Sequence, residues 1–198
     1  MRKVILSMQM TLDGFATGPN DSMDWLPAFQ DQEAWRDIHE AMWTELRNAD
    51  TLLLGRVTYQ IWEKYWPAAA TNPASTPSDI KFSRYADETQ KIVFSRTLDS
   101  VDWKNTRLIK ADIPQEIAKL KRQPGKNMVV AGGPGIAQTF TRLGLIDEYG
   151  ITVHPVILGK GKPLFKDLSE RINLRLVDTR RFSSGAFHLR YETVTKEA

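Results

Sequence analysis

With 198 residues, 41% of them hydrophobic, the chain carries enough apolar material for one substantial core and is cramped for two. Its net charge of +3 is spread along the sequence, which argues against a nucleic-acid surface; the densest basic cluster, Lys119, Lys121, Arg122 and Lys126, reads as the solvated side of a helix. The absence of cysteine excludes disulfides and thiolate metal sites, and no apolar run is long enough to span a bilayer, so the expectation is one cytoplasmic domain over 1–198.

Lys3 to Met10 reads as a first strand that enters the turn Thr11-Leu12-Asp13-Gly14, where the Asp carboxylate can bond nearby backbone N–H groups. A long loop follows, with a second turn at Gly18-Pro19-Asn20-Asp21 and large apolar groups at Met23, Trp25 and Leu26. Trp25 either plugs the edge of the core or faces a ligand. From Asp31 to Asn48, residues Ala34, Trp35, Ile38, Ala41, Met42 and Leu46 fall on one helical face, with Asp31 placed to cap its start. His39 beside this stripe has no partners at metal-ligand spacing, and no metal site is expected.

Thr51 to Leu54 is a short buried strand that delivers Gly55-Arg56-Val57-Thr58 at its carboxyl end, followed by a helix carrying Tyr59, Trp62 and Tyr65 or Trp66. In open α/β sheets ligands bind beyond the carboxyl ends of strands. An Arg there, with a free helix N-terminus behind it, suits a phosphate. Residues 66–78 (WPAAATNPASTPS) read as an exposed loop. Lys91 to Phe94 is the next strand and ends at Ser95-Arg96, which brings a hydroxyl and a second guanidinium to the same edge. Thr106 to Lys110 is a further strand, and Asp112 with Pro114 opens a helix that stops before Pro124-Gly125.

The stretch from Met128 to Gly144 (MVVAGGPGIAQTFTRLG) passes from an apolar run into a glycine cluster and then into helical spacing at Ile136, Phe140 and Leu143. Without Cβ atoms at Gly132, Gly133 and Gly135, the backbone can turn sharply and admit an anion to the first helical N–H groups. The loop reads as a phosphate seat. A Walker loop is excluded because Ile136 and Ala137 follow the last glycine, and a Rossmann fingerprint because Gln138 holds the third glycine position and no acid lies near Val153.

After Gly144, Glu148 to Val153 forms a strand, His154-Pro155 interrupts it, and Val156-Ile157-Leu158 continues it as an edge or bulge. Leu174, Leu176, Phe187, Leu189 and Tyr191 alternate around Ser183-Ser184-Gly185, which predicts a closing hairpin. The fold class is therefore α/β, with a mostly parallel sheet and an antiparallel C-terminal hairpin. The apolar edges of Val156–Leu158 and the hairpin need cover, and a homodimer is expected there.

The run from Val130 to Phe165 (VAGGPGIAQTFTRLGLIDEYGITVHPVILGKGKPLF), with Leu12-Asp13-Gly14-Phe15, Leu54-Gly55-Arg56-Val57-Thr58 and Phe94-Ser95-Arg96 in the same order, resembles the dihydrofolate reductase-like superfamily. The resemblance is greatest to the reductase domain of bacterial riboflavin-pathway deaminase-reductases. It implies a three-layer sandwich and hydride transfer from NADPH to a C=N or C=O group of a small aminopyrimidine- or pteridine-type substrate. It further implies that Gly55, Arg56, Thr58, Ser95, Arg96, Gly132, Gly133, Pro134, Gly135 and Ile136 hold the cofactor, with Arg56, Ser95 and Arg96 at its 2′-phosphate. Met10, Gly14, Asp24 and Trp25 would border the substrate, Asp13 is the catalytic candidate, and the Gly132–Gly133 peptide would be cis.

Two departures bear on the substrate. Dihydrofolate reductases carry a pterin-binding carboxylate where this chain reads Trp25-Leu26-Pro27-Ala28-Phe29, which argues against folate reduction. The riboflavin-pathway reductases follow their Gly-x-x-Thr segment with an Asp-Pro-x-Leu-Thr-like stretch, where this chain has Tyr59-Gln60-Ile61-Trp62-Glu63 and no cysteine for a zinc deaminase. Dihydrofolate reductase activity, or a non-enzymatic nucleotide- or phosphate-binding protein on the same fold, are the alternatives.

Overall fold

A computed structural model describes residues 1–26 and 32–194 of the chain. The expected Asp31 cap and the Pro27-Ala28-Phe29 stretch lie outside the described residues, and only the backbone is described at Ala34. One eight-stranded sheet organises the rest. Its strands are β1 (Val4–Thr11), β3 (Ala49–Gly55), β4 (Gln90–Phe94), β5 (Thr106–Ile109), β6 (Asn127–Val130), β7 (Glu148–His154), β9 (Leu174–Arg181) and β10 (Phe187–Thr193). The spatial order is β5-β4-β3-β6-β1-β7-β10-β9. The first six run parallel, and β10 pairs antiparallel with both β7 and β9. The expected mostly parallel sheet with an antiparallel closing hairpin is therefore present.

Helices cover both faces because the central strands are apolar on both. Ile5, Leu52, Leu54, Val93 and Val129 pack under α1 (Gln32–Arg47), α2 (Arg56–Ala69) and α3 (Pro77–Glu88) through Trp43, Leu46, Tyr59 and Ala86. On the opposite face Val4, Leu6, Leu53, Ile92, Met128 and Val130 meet α4 (Ile113–Arg122) and α5 (Pro134–Arg142) through Ile117, Leu120, Ile136 and Phe140. The result is a three-layer sandwich. Parallel strands between helices turn all their carboxyl ends to one edge, so Thr11, Gly55, Phe94, Val130 and His154 arrive together there.

Three local expectations change. The loop expected over residues 66–78 is shorter, running only from Ala70 to Thr76: α2 continues to Ala69 with Pro67 inside it, and α3 begins at Pro77. Thr76 and Asp79 form a reciprocal capping box, which starts α3 despite the loop-like composition before it. Val156 to Leu158 does not extend β7; it is a loop, tied back to the turn after β1 by the Leu12 N–H donating to Val156 O at 2.9 Å. The chain after that turn forms a short strand, β2 (Phe15–Thr17), which pairs antiparallel with β8 (Lys162–Pro163).

Candidate active site

The carboxyl edge of the sheet gathers the Gly55–Thr58 and Gly132–Ile136 motifs into one interlocked unit. Gly132 has φ +137°, and a Cβ added there would stand 2.5 Å from the Thr58 Oγ1. Only glycine fits that backbone and that contact. The Thr58 hydroxyl accepts a hydrogen bond from the Gly133 N–H at 3.0 Å, so Thr58 is buried as a prop for the glycine loop. Gly55 closes the other side: a Cβ there would lie 3.2 Å from Ile136 Cβ. The Gly132–Gly133 peptide is trans, which corrects the cis bond implied by resemblance.

Above this packed base the loop is open. Nothing lies within 4 Å of a Cβ built on Gly135, and neither α2 nor α5 has a side-chain cap at its N-cap glycine, Gly55 or Gly133. Two adjacent helix N-termini thus present uncapped amide ends, with their partial positive charge, at the same edge. Gly55 is the register partner of Phe94, so Arg56 and Ser95-Arg96 leave the sheet side by side. Both guanidinium groups are exposed; Arg56 reaches Gln60 Oε1 at 3.0 Å, and Arg96 has no hydrogen-bond or ion-pair partner among the described residues. The Ser95 hydroxyl accepts from the N–H groups of Thr97 and Leu98 at 3.2 and 3.1 Å, which shapes the turn presenting Arg96.

Asp13 occupies the turn after β1 and is committed to neighbours. Its carboxylate accepts from the Thr11 hydroxyl at 2.6 Å and from the backbone N–H groups of Leu158 and Gly159 at 3.1 and 2.7 Å. The Thr11 hydroxyl bond, with the two backbone donors, holds its pKa below the ordinary carboxylate value. A carboxylate kept ionised in this way is a poor proton donor at neutral pH; its geometry is that of a latch between the β1 turn and the 156–159 loop. Gly14, at φ +89°, continues the latch through its carbonyl, which accepts from the Leu164 N–H at 2.9 Å.

The remaining substrate-side candidates separate. Met10 is half-buried against the α4–α5 core, on the opposite face from Gln9 and His154. Asp24 is exposed and receives the Ser22 hydroxyl. Trp25 is only 7% exposed and packs edge-on to His154, with ring centroids 5.4 Å apart, instead of offering its face to an open cleft. His154, at the end of β7 and opposite Thr11 of β1, is 1% exposed, and burial pushes its pKa down to about 4. Its Nε2 lies 2.6 Å from Gln9 Oε1. Sequence pattern alone presented His154 as a strand interruption, since nothing local links it to Gln9 or Trp25.

A mostly parallel sheet, a glycine cradle between two uncapped helices and an antiparallel closing hairpin together make a three-layer α/β domain with its candidate site at the carboxyl edge of the sheet. The sequence model of the RibD C-terminal domain matches residues 2–187, and the chain belongs to that family. Uncharacterized protein YyaP of Bacillus subtilis is 37% identical over 190 residues, covering 96% of this chain and 94% of that protein. Riboflavin biosynthesis protein RibD of Corynebacterium ammoniagenes is 25% identical over 171 residues, covering 80% of this chain and 44% of that protein. Among solved structures, a pyrimidine reductase-like protein from Corynebacterium diphtheriae superposes with a TM-score of 0.64 at 18% identity, over 98% of this chain and 93% of that one. That likeness concerns the fold.

Proposed function

We propose that the protein is an NADPH-dependent reductase that transfers hydride to a C=N or C=O group of a small aminopyrimidine- or pteridine-type heterocycle. The observation that carries this reading is the glycine loop locked to Thr58 beneath two uncapped helix ends, with Arg56 and Arg96 emerging beside it. These residues fit a phosphate-rich cofactor: Gly135 leaves the backbone open, the helix ends attract anions, and the arginines favour a 2′-phosphate. When bound, NADPH supplies the hydride; the chain supplies position. Thr58 and Gly132 keep the phosphate seat rigid, while Asp13 holds the β1 turn and the 156–159 loop in fixed relation. With Asp13 held ionised, its carboxylate is a positioning group and not the proton donor in this reading.

The occupied Asp13 carboxylate also favours a second reading, a nucleotide-binding protein without turnover. Following NADPH absorbance with a panel of pterins, flavin precursors and quinonoid compounds separates the two. Oxidation of NADPH with a heterocycle in the panel supports the reductase. Tight NADPH binding with no turnover across the panel supports the binding protein, and failure to bind NADPH at all overturns the reductase.

A further inference from the structure

Helices α1 and α3 run side by side in the same direction, as the contacts along them show. The His39 Nε2 lies 3.0 Å from the Ser78 hydroxyl, the Trp43 and Phe82 ring centroids are 6.1 Å apart, and the Tyr85 hydroxyl donates to Leu46 O at 3.1 Å. Between the two helices lies a groove of about 380 Å³. Trp43 of α1 forms one wall. Pro77, Lys81, Arg84 and Glu88 recur at intervals of three and four along α3 and make one stripe opposite it, with Ile80 and Tyr85 beside them. Because α3 ends at Glu88, just before the amino end of β4, the groove runs toward the edge of the sheet opposite the glycine cradle.

The aromatic wall is held in place, since Trp43 is 5% exposed and meets Tyr85 edge-on with ring centroids 5.5 Å apart. The cations beside it are not neutralised. Lys81 Nζ stands 4.3 Å from the centre of the Trp43 ring, and neither Lys81 nor Arg84 has a hydrogen-bond or ion-pair partner among the described residues. Glu88 is the one carboxylate of the lining, so two cations against one acid leave the groove net positive. A small hydrated anion would use the charges and leave the aromatic wall bare, while a neutral ring would use the wall and leave the cations in water. An aromatic carboxylate uses both. The volume lies at the small end of ligand pockets, with room for one or two rings. We propose that the α1–α3 groove is a second binding site, separate from the carboxyl edge, for a small aromatic carboxylate: its ring lies along Trp43, Ile80 and Pro77, and its carboxylate bridges Lys81 and Arg84.

The test is an NMR titration of the full chain at neutral pH and low salt with 2-naphthoate and with 2-naphthamide, which has the same shape and no charge. The wild type should prefer the naphthoate by about fivefold, the worth of an ion pair at a partly exposed site, and the preference should shrink as salt is added. Shifts should concentrate in the backbone amides of α3 and around Trp43. The double variant Lys81→Gln/Arg84→Gln, in which both changed side chains are exposed, should lose the preference while still binding the naphthamide as the wild type does. Lys81→Arg keeps the charge and should retain it. A general loss of packing would weaken both ligands alike. The double variant Arg56→Ala/Arg96→Ala removes the cations of the carboxyl edge and should leave the preference intact. Absence of saturable naphthoate binding, equal affinity for the two ligands, or a preference that survives Lys81→Gln/Arg84→Gln would overturn the site. Loss of the preference in Arg56→Ala/Arg96→Ala would overturn it too, because the anion would then sit in the glycine cradle.

Discussion

Replacing His154 by Gln isolates one buried titratable group, because the amide can still donate to Gln9 while no longer taking up a proton. In the folded chain His154 titrates at about 4 against an ordinary value of 6.5, since burial disfavours the imidazolium. The unfolded chain therefore binds more protons than the folded one between these two values. Stability rises with pH across that window and is lost as pH falls from 6.5 toward 4. A depression of this size corresponds to about 3 kcal/mol for a group that is 1% exposed. Urea unfolding of wild type and His154→Gln, at steps from neutral pH down to about pH 4, reads it directly. Asp13 and Asp37, whose depressed pKa values also contribute to acid lability, are common to both proteins and cancel in the difference. The wild type should lose about 3 kcal/mol relative to the variant over this range; parallel pH profiles would refute the assignment of a buried neutral imidazole.

Gly132→Ala should cost about 1–3 kcal/mol through its left-handed backbone, with further loss from the Thr58 contact; Gly135→Val, facing open space, should leave the melting temperature unchanged yet weaken NADPH binding by crowding the phosphate seat. Equal thermal destabilisation in both would contradict the difference between the two positions. Lys91 is fully buried, donates to the Ala86 and Thr89 carbonyls, and titrates near 8 instead of 10.5, mainly because burial disfavours its charge. The folded chain thus holds fewer protons than the unfolded one between these values, and stability should rise from about pH 8 to 9.5; Lys91→Met should flatten this rise, and an unchanged slope in unfolding curves would count against it. Every residue of the edge strand β9 is exposed, including Leu174, Leu176 and Val177, and a homodimer covering this edge should appear as a dimer mass in light scattering. A monomer mass at all concentrations would reject it.

What the sequence made legible follows from the range of the interactions involved. The strand, glycine loop and helix from Met128 to Gly144 were readable because apolar period and missing Cβ atoms are local signals. The closing hairpin was readable from its alternation. The helix α3 was obscured by the Pro- and Ala-rich run before it, although Thr76, Pro77 and Asp79 carry a capping signal four residues long. Val156 to Leu158 looked like strand because it is apolar, but its backbone is drawn toward Asp13 and Leu12, about 145 positions earlier in the chain for the Asp13–Leu158 bond. The Trp25–His154–Gln9 cluster joins three distant segments, and no spacing rule relates them. Likewise, Thr58 could be placed near the cofactor by its motif, while its bond to Gly133 emerged only from the fold.

The central claim is that the glycine cradle and the two edge arginines hold NADPH, and a calorimetric titration of NADPH and NADH into wild type, Arg56→Ala and Arg96→Ala tests it most directly. The account predicts that the wild type binds NADPH more tightly than NADH, and that each substitution costs about 1.5–3 kcal/mol for NADPH with little change for NADH. Equal weakening of the two nucleotides, or no binding of either by the wild type, would contradict it.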